Sequence, residues 1–175
     1  VAIQNGIIYV GSYMGAGLFH TTDFGANWKP VLQNSWSILA LTKKSQFLYA
    51  TSEASIYSNS SGTWAEDGEH GIRTWGRSTV VNPLNQRLYI GGFLPNEEHG
   101  AIAWTQDGKV WNVDTLRRAY VTALAFNERG DAYAGGMVYE APSNNRTCIW
   151  KKVGNNWTED TDFNDLLIEK IVAAG

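Results

Sequence analysis

Three short segments of the chain, residues 67–77, 116–120 and 136–146, combine arginine with aromatic or acidic side chains. These residue types bind sugars and carboxylates. A guanidinium group donates a fork of hydrogen bonds to a carboxylate, and an aromatic ring offers a flat apolar face. The second segment, "LRRAY", places two such guanidinium groups, at Arg117 and Arg118, within three residues of Tyr120. The sequence therefore predicts ligand-binding candidates at Arg73, Trp75, Arg77, Arg117, Arg118, Tyr120, Tyr139 and Glu140.

Composition argues against several other classes of chemistry. The net charge is −3 and the isoelectric point is about 5.6, so no basic surface for a nucleic-acid partner is expected. His20, His70 and His99 lack the spacing of metal ligands, and no phosphate-binding loop is present. No run of 18 apolar residues occurs, so no membrane span is expected. The sequence thus predicts neither a metal nor a cofactor.

The chain contains an internal repeat. Tyr9, Tyr49, Tyr89 and Tyr133 each lie in a short apolar strand pattern, and a small residue follows two positions later. An apolar segment precedes most of these strands, and another short strand follows each of them. A turn and a tryptophan then complete the unit, at Trp28, Trp64, Trp111 and Trp157.

The pattern therefore predicts that each repeat forms four short strands, A to D. Strand A is apolar through most of its length and is expected to be buried on both faces, whereas the tryptophan strand D is polar and is expected to be an exposed edge. Four-stranded antiparallel units that repeat in this way are typical of propeller blades. The predicted fold class is all-β, a β-propeller of about four blades with little or no helix.

The turn before each tryptophan carries the resemblance to a known family. "TTDFGANW" resembles the Asp-box, or bacterial neuraminidase repeat, at Thr21, Asp23, Gly25 and Trp28. "TQDGKVW" keeps the same residue types in a shorter turn, at Thr105, Asp107, Gly108 and Trp111. The family includes sialidases, xyloglucanases, sortilin-like sorting receptors and a photosystem assembly factor. The resemblance implies that these eight residues shape the outer turn of a blade and are not catalytic.

Two further copies of this motif are degraded. "SNSSGTW" has Ser60 where the motif has aspartate, and "KKVGNNW" keeps only the glycine and the tryptophan. Four copies in register with the strand repeat give a strong prediction of fold but a weak prediction of function, because proteins with this fold have many activities.

The ends of the repeat raise the question of closure. The predicted blades cover 6–32, 37–68, 78–115 and 120–160, with residues 1–4 as a short lead and 168–175 as a closing strand A. This last strand is expected to pair with residues 6–12 of the same chain or of a neighbour. Four blades are few for the family, so three arrangements stay open: part of a larger propeller, self-association of two chains, and a self-closed ring.

Ligands of propellers bind at loops on one end of the blades. The expected D–A loops are 29–36, 65–77, 112–120 and 158–166, and the expected B–C loops are 12–16, 52–54, 92–100 and 136–146. The favoured interpretation is a non-enzymatic, secreted or cell-surface (or periplasmic) propeller that binds a glycan or a protein through these loops. Alternatives are a glycoside hydrolase propeller, whole or in part, and an assembly or scaffold factor.

The sialidase resemblance can be compared residue by residue. Arg73, Arg77 and Arg117 could form the arginine group that grips a substrate carboxylate in that family. Tyr139 and Glu140 could be its tyrosine and glutamate, but adjacent residues of a strand point to opposite sides. The first predicted blade also lacks the early arginine that the family carries. The match is poor, so the enzyme stays an alternative.

Asn-x-Ser/Thr glycosylation motifs occur at Asn59, Asn145 and Asn156. They would be used only in a eukaryotic secreted protein.

Overall fold

The computed structural model describes residues 1–33, 37–74, 78–95, 99–140 and 144–164. Within these ranges the chain is all-β: sixteen strands form four separate four-stranded antiparallel sheets, and no helix occurs. In each sheet the spatial order of the strands follows their order in the sequence, so every connection inside a sheet is a hairpin. The chain divides into two compact units, Val1–His70 and Gly71–Gly175.

The first unit contains two sheets. Sheet 1 consists of β1 (Ala2–Gln4), β2 (Ile7–Gly11), β3 (Leu18–Thr21) and β4 (Lys29–Leu32). Sheet 2 consists of β5 (Ala40–Lys44), β6 (Phe47–Thr51), β7 (Ser55–Ser58) and β8 (Ala65–Glu69). Their shared core is formed by Tyr9, Leu18, Ile38, Leu48, Ala50 and Tyr57.

The second unit contains two longer sheets. Sheet 3 consists of β9 (Thr79–Val81), β10 (Leu88–Phe93), β11 (His99–Thr105) and β12 (Asn112–Arg117). Sheet 4 consists of β13 (Ala119–Phe126), β14 (Ala132–Glu140), β15 (Asn144–Val153) and β16 (Asn156–Asn164). Their core includes Tyr89, Ile102, Leu116, Val121, Leu124, Cys148 and Trp150.

The tyrosine repeat marks equivalent strands, as predicted. Tyr9, Tyr49, Tyr89 and Tyr133 lie on β2, β6, β10 and β14, the second strand of each sheet. The small residue two positions later has a physical reason in sheet 3, because a methyl group placed on Gly91 would lie 2.6 Å from Cγ1 of Val121 in sheet 4. The glycine thus allows the first strand of one sheet to lie directly on the second strand of another.

The prediction that residues 1–4 are only a lead is wrong. Residues 2–4 form β1 and pair with β2, Ala2 opposite Tyr9 and Gln4 opposite Ile7. Asn5 and Gly6 connect the strands with φ of 52° and 77°, the left-handed conformations that a tight two-residue hairpin requires. Since β3 pairs on the other side, Ile8 and Tyr9 have strand partners on both sides. The predicted closing strand 168–175 lies outside the described residues.

The predicted burial of the strands needs a second correction. Among the first strands of the four sheets, β13 alone is buried along most of its length, whereas β1, β5 and β9 are largely half-buried. In sheet 2 the reason is that β5 ends in two lysines, and the second and third strands carry the core instead. The fourth strands β8 and β12 are mostly exposed, as predicted, and two of the four residues of β4 are exposed.

In the part of the chain that the structure describes, no helix is long and apolar enough to cross a membrane.

Candidate functional site

Several of the predicted ligand-binding residues meet at one end of the second unit. Arg117 ends β12, and Arg118 alone separates it from β13, which begins at Ala119. The carbonyl oxygen of Arg118 accepts a 2.7 Å hydrogen bond from the backbone N–H of Tyr139 near the end of β14. The register of the two sheets therefore brings both arginines and Tyr139 to the same end.

Arg73 reaches this end by pairing with sheet 3. It forms an isolated antiparallel bridge with Phe93, at the end of β10, through two backbone hydrogen bonds of 2.8 Å. Phe93 also packs against Tyr120, with ring centroids 5.2 Å apart. We call the surface formed by Arg73, Arg117, Arg118 and Tyr139 the arginine end.

Two glycines allow the backbone of the arginine end to pack closely. A methyl group on Gly92 would lie 2.1 Å from the carbonyl oxygen of Arg73, and one on Gly136 would lie 1.9 Å from that of Tyr120. Neither distance is compatible with a side chain, because the obstacle is backbone that cannot swing aside. The segments that bear the arginines are thus held against the sheets by direct backbone contact.

The polar side chains of the arginine end are open to solvent. Arg73, Arg117 and Arg118 are exposed, as is Tyr139. Arg118 has a φ of 50°, a left-handed conformation that is uncommon for a residue with a long side chain. The hydrogen bond between its carbonyl oxygen and the N–H of Tyr139 helps to hold this backbone conformation.

A fourth arginine beside this end is already engaged. Nη2 of Arg146 donates a 2.9 Å hydrogen bond to Oε2 of Glu159, while Nη1 contacts Oε1 of the same carboxylate and Sγ of Cys148. The hydrogen bonds from Arg146 hold the pKa of Glu159 below its usual value. Arg146 therefore links β15 to β16 and is not counted with the arginine end.

The other predicted site residues are not counted with the arginine end. Tyr120 is buried against Phe93, so little of its ring is open to a ligand. Glu140 ends β14. Trp75 and Arg77 lie outside the described residues. Sequence reasoning missed Phe93, Gly92 and Gly136, and nothing in their local sequence identifies them, because their role comes from contacts between distant segments.

Two loop predictions at this end are wrong in extent. Residues 112–117 belong to β12, and most of 136–146 belongs to β14 and β15, so the described connections are shorter than expected. The same correction applies to 29–36, 65–77 and 158–166, where β4, β8 and β16 occupy the first part of each range. The physical reason is that the outer strand starts within one residue of the tryptophan and continues the antiparallel hairpin.

The Thr21–Trp28 turn is a closed network of hydrogen bonds. The Thr21 hydroxyl donates to Oδ1 of Asp23 at 2.6 Å and accepts from the N–H of Gly25 at 3.0 Å. Asn27 donates its backbone N–H to Oδ1 of Asp23 and its side-chain amide to Oδ2, at 2.9 and 2.8 Å. These donors, Thr21 first, lower the pKa of Asp23 to about 2. Gly25 has a φ of 96° and lies under the Trp28 ring.

The Thr105–Trp111 turn repeats this arrangement with one residue fewer. Oδ1 of Asp107 accepts hydrogen bonds from the N–H groups of Lys109 and Val110 at 2.9 and 3.0 Å, and from the Thr105 hydroxyl at 3.1 Å. Donation from Val110 and Lys109 lowers the pKa of Asp107 to about 2. The indole of Trp111 donates to the carbonyl oxygen of Gly108 at 3.2 Å. Both aspartates are therefore occupied by the turn itself.

The third turn keeps the geometry with weaker partners. Ser60 takes the place of the aspartate, and its hydroxyl lies 2.8 Å from that of Ser58. Gly62 keeps a positive φ of 90°. In sheet 4 the corresponding turn consists only of Gly154 and Asn155, between the paired residues Val153 and Asn156. The turn can thus lose its aspartate without losing the hairpin.

Among the described residues, no group of three or more histidine, cysteine, aspartate or glutamate side chains is placed to hold a metal ion. No protein-family model matches the chain. A search of curated proteins finds no relative either.

Proposed function

We propose that the four sheets are propeller blades of an Asp-box protein, and that this protein binds a glycan or protein ligand at the arginine end without catalysing a reaction. The observation that carries the proposal is the placement of exposed Arg73, Arg117 and Arg118 at one end of sheets 3 and 4, on a backbone fixed by hydrogen bonds and close glycine contacts. Repetition of one four-stranded antiparallel sheet, with equivalent turns on its outer hairpin, supports the propeller.

The charge of the arginine end favours an acidic ligand. Arginine offers several directed donors, and a hydrogen bond to a charged group contributes about 1.5–3 kcal/mol. The exposed ring of Tyr139 adds an amphipathic surface beside these donors. A glycan that carries a carboxylate or sulfate, or an acidic segment of a protein, has the chemistry that this surface fits. An exported or cell-surface location remains a prediction.

The experiment is a binding screen of the purified chain against an array of neutral, carboxylated and sulfated oligosaccharides, followed by a titration of any ligand found. The combined variant Arg73→Gln, Arg117→Gln and Arg118→Asn should lose at least tenfold in affinity. Asparagine is chosen at Arg118 because it tolerates the left-handed conformation. Arg129→Gln is the matched control, since this exposed arginine lies in the β13–β14 turn at the opposite end of sheet 4.

The outcomes distinguish the three functional classes. Binding of an acidic glycan that the triple variant loses and Arg129→Gln keeps would support the proposal. Release of free sugar from the same ligands would favour a glycoside hydrolase instead. No glycan binding, together with a protein partner captured at another surface, would favour an assembly factor.

A further inference from the structure

In each unit a tryptophan of the later sheet packs against the earlier sheet. In the first unit the ring of Trp64, which directly precedes β8, lies 5.7 Å from the ring of Tyr9 on β2. In the second unit Trp157 on β16 packs against the shared core, and its indole donates a 3.0 Å hydrogen bond to Asp114 on β12. A tryptophan of the later sheet thus joins sheet 2 to sheet 1, through a tyrosine ring, and sheet 4 to sheet 3, through the core and an aspartate.

The equivalent tryptophan of sheet 1 is exposed. Trp28 is 45% exposed and Phe24, in the same turn, is 96% exposed. Trp64, Trp111 and Trp157 are less exposed. Phe24 is held in a left-handed conformation with φ of 57°, which is unusual for a bulky residue. We call Phe24 and Trp28 the Trp28 face. It presents the packing surface of the repeat to solvent.

The equivalent tyrosine of sheet 4 is also incompletely covered. Tyr9, Tyr49 and Tyr89 are buried, whereas Tyr133 is only half-buried, with Nζ of Lys151 5.6 Å from its ring centre. Asp160 is exposed and follows Trp157 by three residues, as Asp114 follows Trp111. We call Tyr133 and Asp160 the Tyr133 face. Elsewhere in the chain a tyrosine ring, that of Tyr9, and a carboxylate, that of Asp114, each receive a tryptophan. The Tyr133 face offers both kinds of group near the same strand position.

We propose that the Trp28 face of one copy of this chain docks on the Tyr133 face of a second copy. The docked Trp28 repeats the contact of Trp64 on Tyr9, and its indole N–H has Asp160 as an acceptor. The second copy is the occupant because this chain itself carries the complementary face, in continuity with the two contacts already present inside its units. Residues 1–22 contain no aspartate, glutamate, lysine or arginine, so the charged side chains of sheet 1 and its turns are Asp23 and Lys29, which lie beside the Trp28 face. The proposal does not depend on any ligand of the arginine end.

Sedimentation velocity over a wide concentration range tests the association. The wild-type chain should form a dimer, and Trp28→Ala and Tyr133→Ala should each weaken it at least tenfold while the far-ultraviolet circular dichroism spectrum stays unchanged. Tyr13→Ala is the matched control, because Tyr13 is 70% exposed and lies outside both faces. A wild-type monomer at the highest concentration, or a dimer indifferent to both face variants, overturns the proposal.

Cross-linking identifies the two faces and leaves the docking residues intact. Lys29→Cys places a thiol beside Trp28, and Lys151→Cys places one beside Tyr133, while the native Cys148 is buried. When the two single variants carry different tags and are mixed with a short bismaleimide, we expect a cross-linked pair that contains both tags. The double variant should give cross-linked dimers. The proposal that a second copy is the occupant is overturned if the double variant cross-links only inside one chain, or if the faces cross-link only to another protein.

Discussion

The indole N–H of Trp157 donates a 3.0 Å hydrogen bond to Oδ2 of Asp114, and the same oxygen accepts from Nζ of Lys152 at 2.5 Å. Asp114 belongs to sheet 3, whereas Trp157 and Lys152 belong to sheet 4. One carboxylate oxygen therefore joins two sheets and neutralises a half-buried ammonium group. Lys152 also lies over the Trp157 ring, 5.6 Å from its centre, which adds a cation–π contact to the same cluster.

Asp114→Ala should therefore destabilise the second unit. The change leaves Lys152 and the indole of Trp157 without their shared acceptor, and we expect a loss of about 1.5–3 kcal/mol in the free energy of unfolding. Urea denaturation followed by tryptophan fluorescence measures it. Arg129→Ala removes the exposed Arg129–Asp131 pair and should cost less than about 0.5 kcal/mol. Equal effects of the two variants would contradict a special role for Asp114.

The turn aspartates predict an acid-sensitive step in stability. Asp107 has a pKa of about 2 in the folded chain, against 3.8 for an unperturbed aspartate, because the N–H groups of Val110 and Lys109 stabilise the carboxylate. A lowered folded pKa means that this stabilisation is complete above about pH 4 and is lost as the pH falls towards 2. Asp23 should behave in the same way.

Carboxyl NMR titration of the folded chain measures both pKa values directly. Denaturation midpoints recorded between pH 2 and pH 7 should show a shallower acid dependence for Asp107→Asn, since its side chain no longer titrates. Glu128→Gln, at an exposed position of the β13–β14 turn, is a suitable control. Titration of Asp23 and Asp107 near 3.8 would contradict the turn geometry.

The repeat was predictable from the sequence because its signals are local. A tyrosine in an apolar strand, a turn with threonine and aspartate, and a following tryptophan recur at similar intervals, and each has a short-range physical role. The four sheets, the four equivalent tyrosines and the exposed outer strands follow from this pattern. The first strand was missed because Ala2–Gln4 is too short and too little buried to show a periodic pattern.

The candidate site was predictable only in part. Arg117 and Arg118 attract attention as residue types, but their position depends on a single turn residue between two sheets. The pairing of Arg73 with Phe93 and the close approach at Gly136 join segments far apart in the sequence. Such contacts leave no local signal, so the sequence could name the arginines but could not show which of them converge.

The close contacts of Gly136 and Gly91 predict that the two alanine substitutions destabilise the chain by different amounts. Gly136→Ala forces a methyl group into the backbone of Tyr120 and should destabilise the chain by about 1–3 kcal/mol or more, while lowering any affinity of the arginine end. The nearest atoms to a methyl group on Gly91 all belong to side chains, Cγ1 of Val121 at 2.6 Å and then Cβ of Val121 and Cγ of Leu124 at 3.4 Å, so the cost of Gly91→Ala should be smaller. Thermal and urea unfolding give the order. A larger effect of Gly91→Ala would contradict the close backbone approach.

Two of the three glycosylation motifs place their asparagines in different surroundings. Oδ1 of Asn59 accepts a 2.9 Å hydrogen bond from the N–H of Leu48, and its Nδ2 donates to Oε1 of Gln4 at 2.6 Å, which links sheet 2 to sheet 1. Asn156 is exposed at the start of β16. Asn59→Ala should therefore cost about 1–3 kcal/mol, since it leaves a half-buried N–H without its acceptor, whereas Asn156→Ala should change stability by less than about 0.5 kcal/mol. Urea denaturation of the two variants measures this difference, and equal costs would show that the Asn59 bridge does not hold the first unit together.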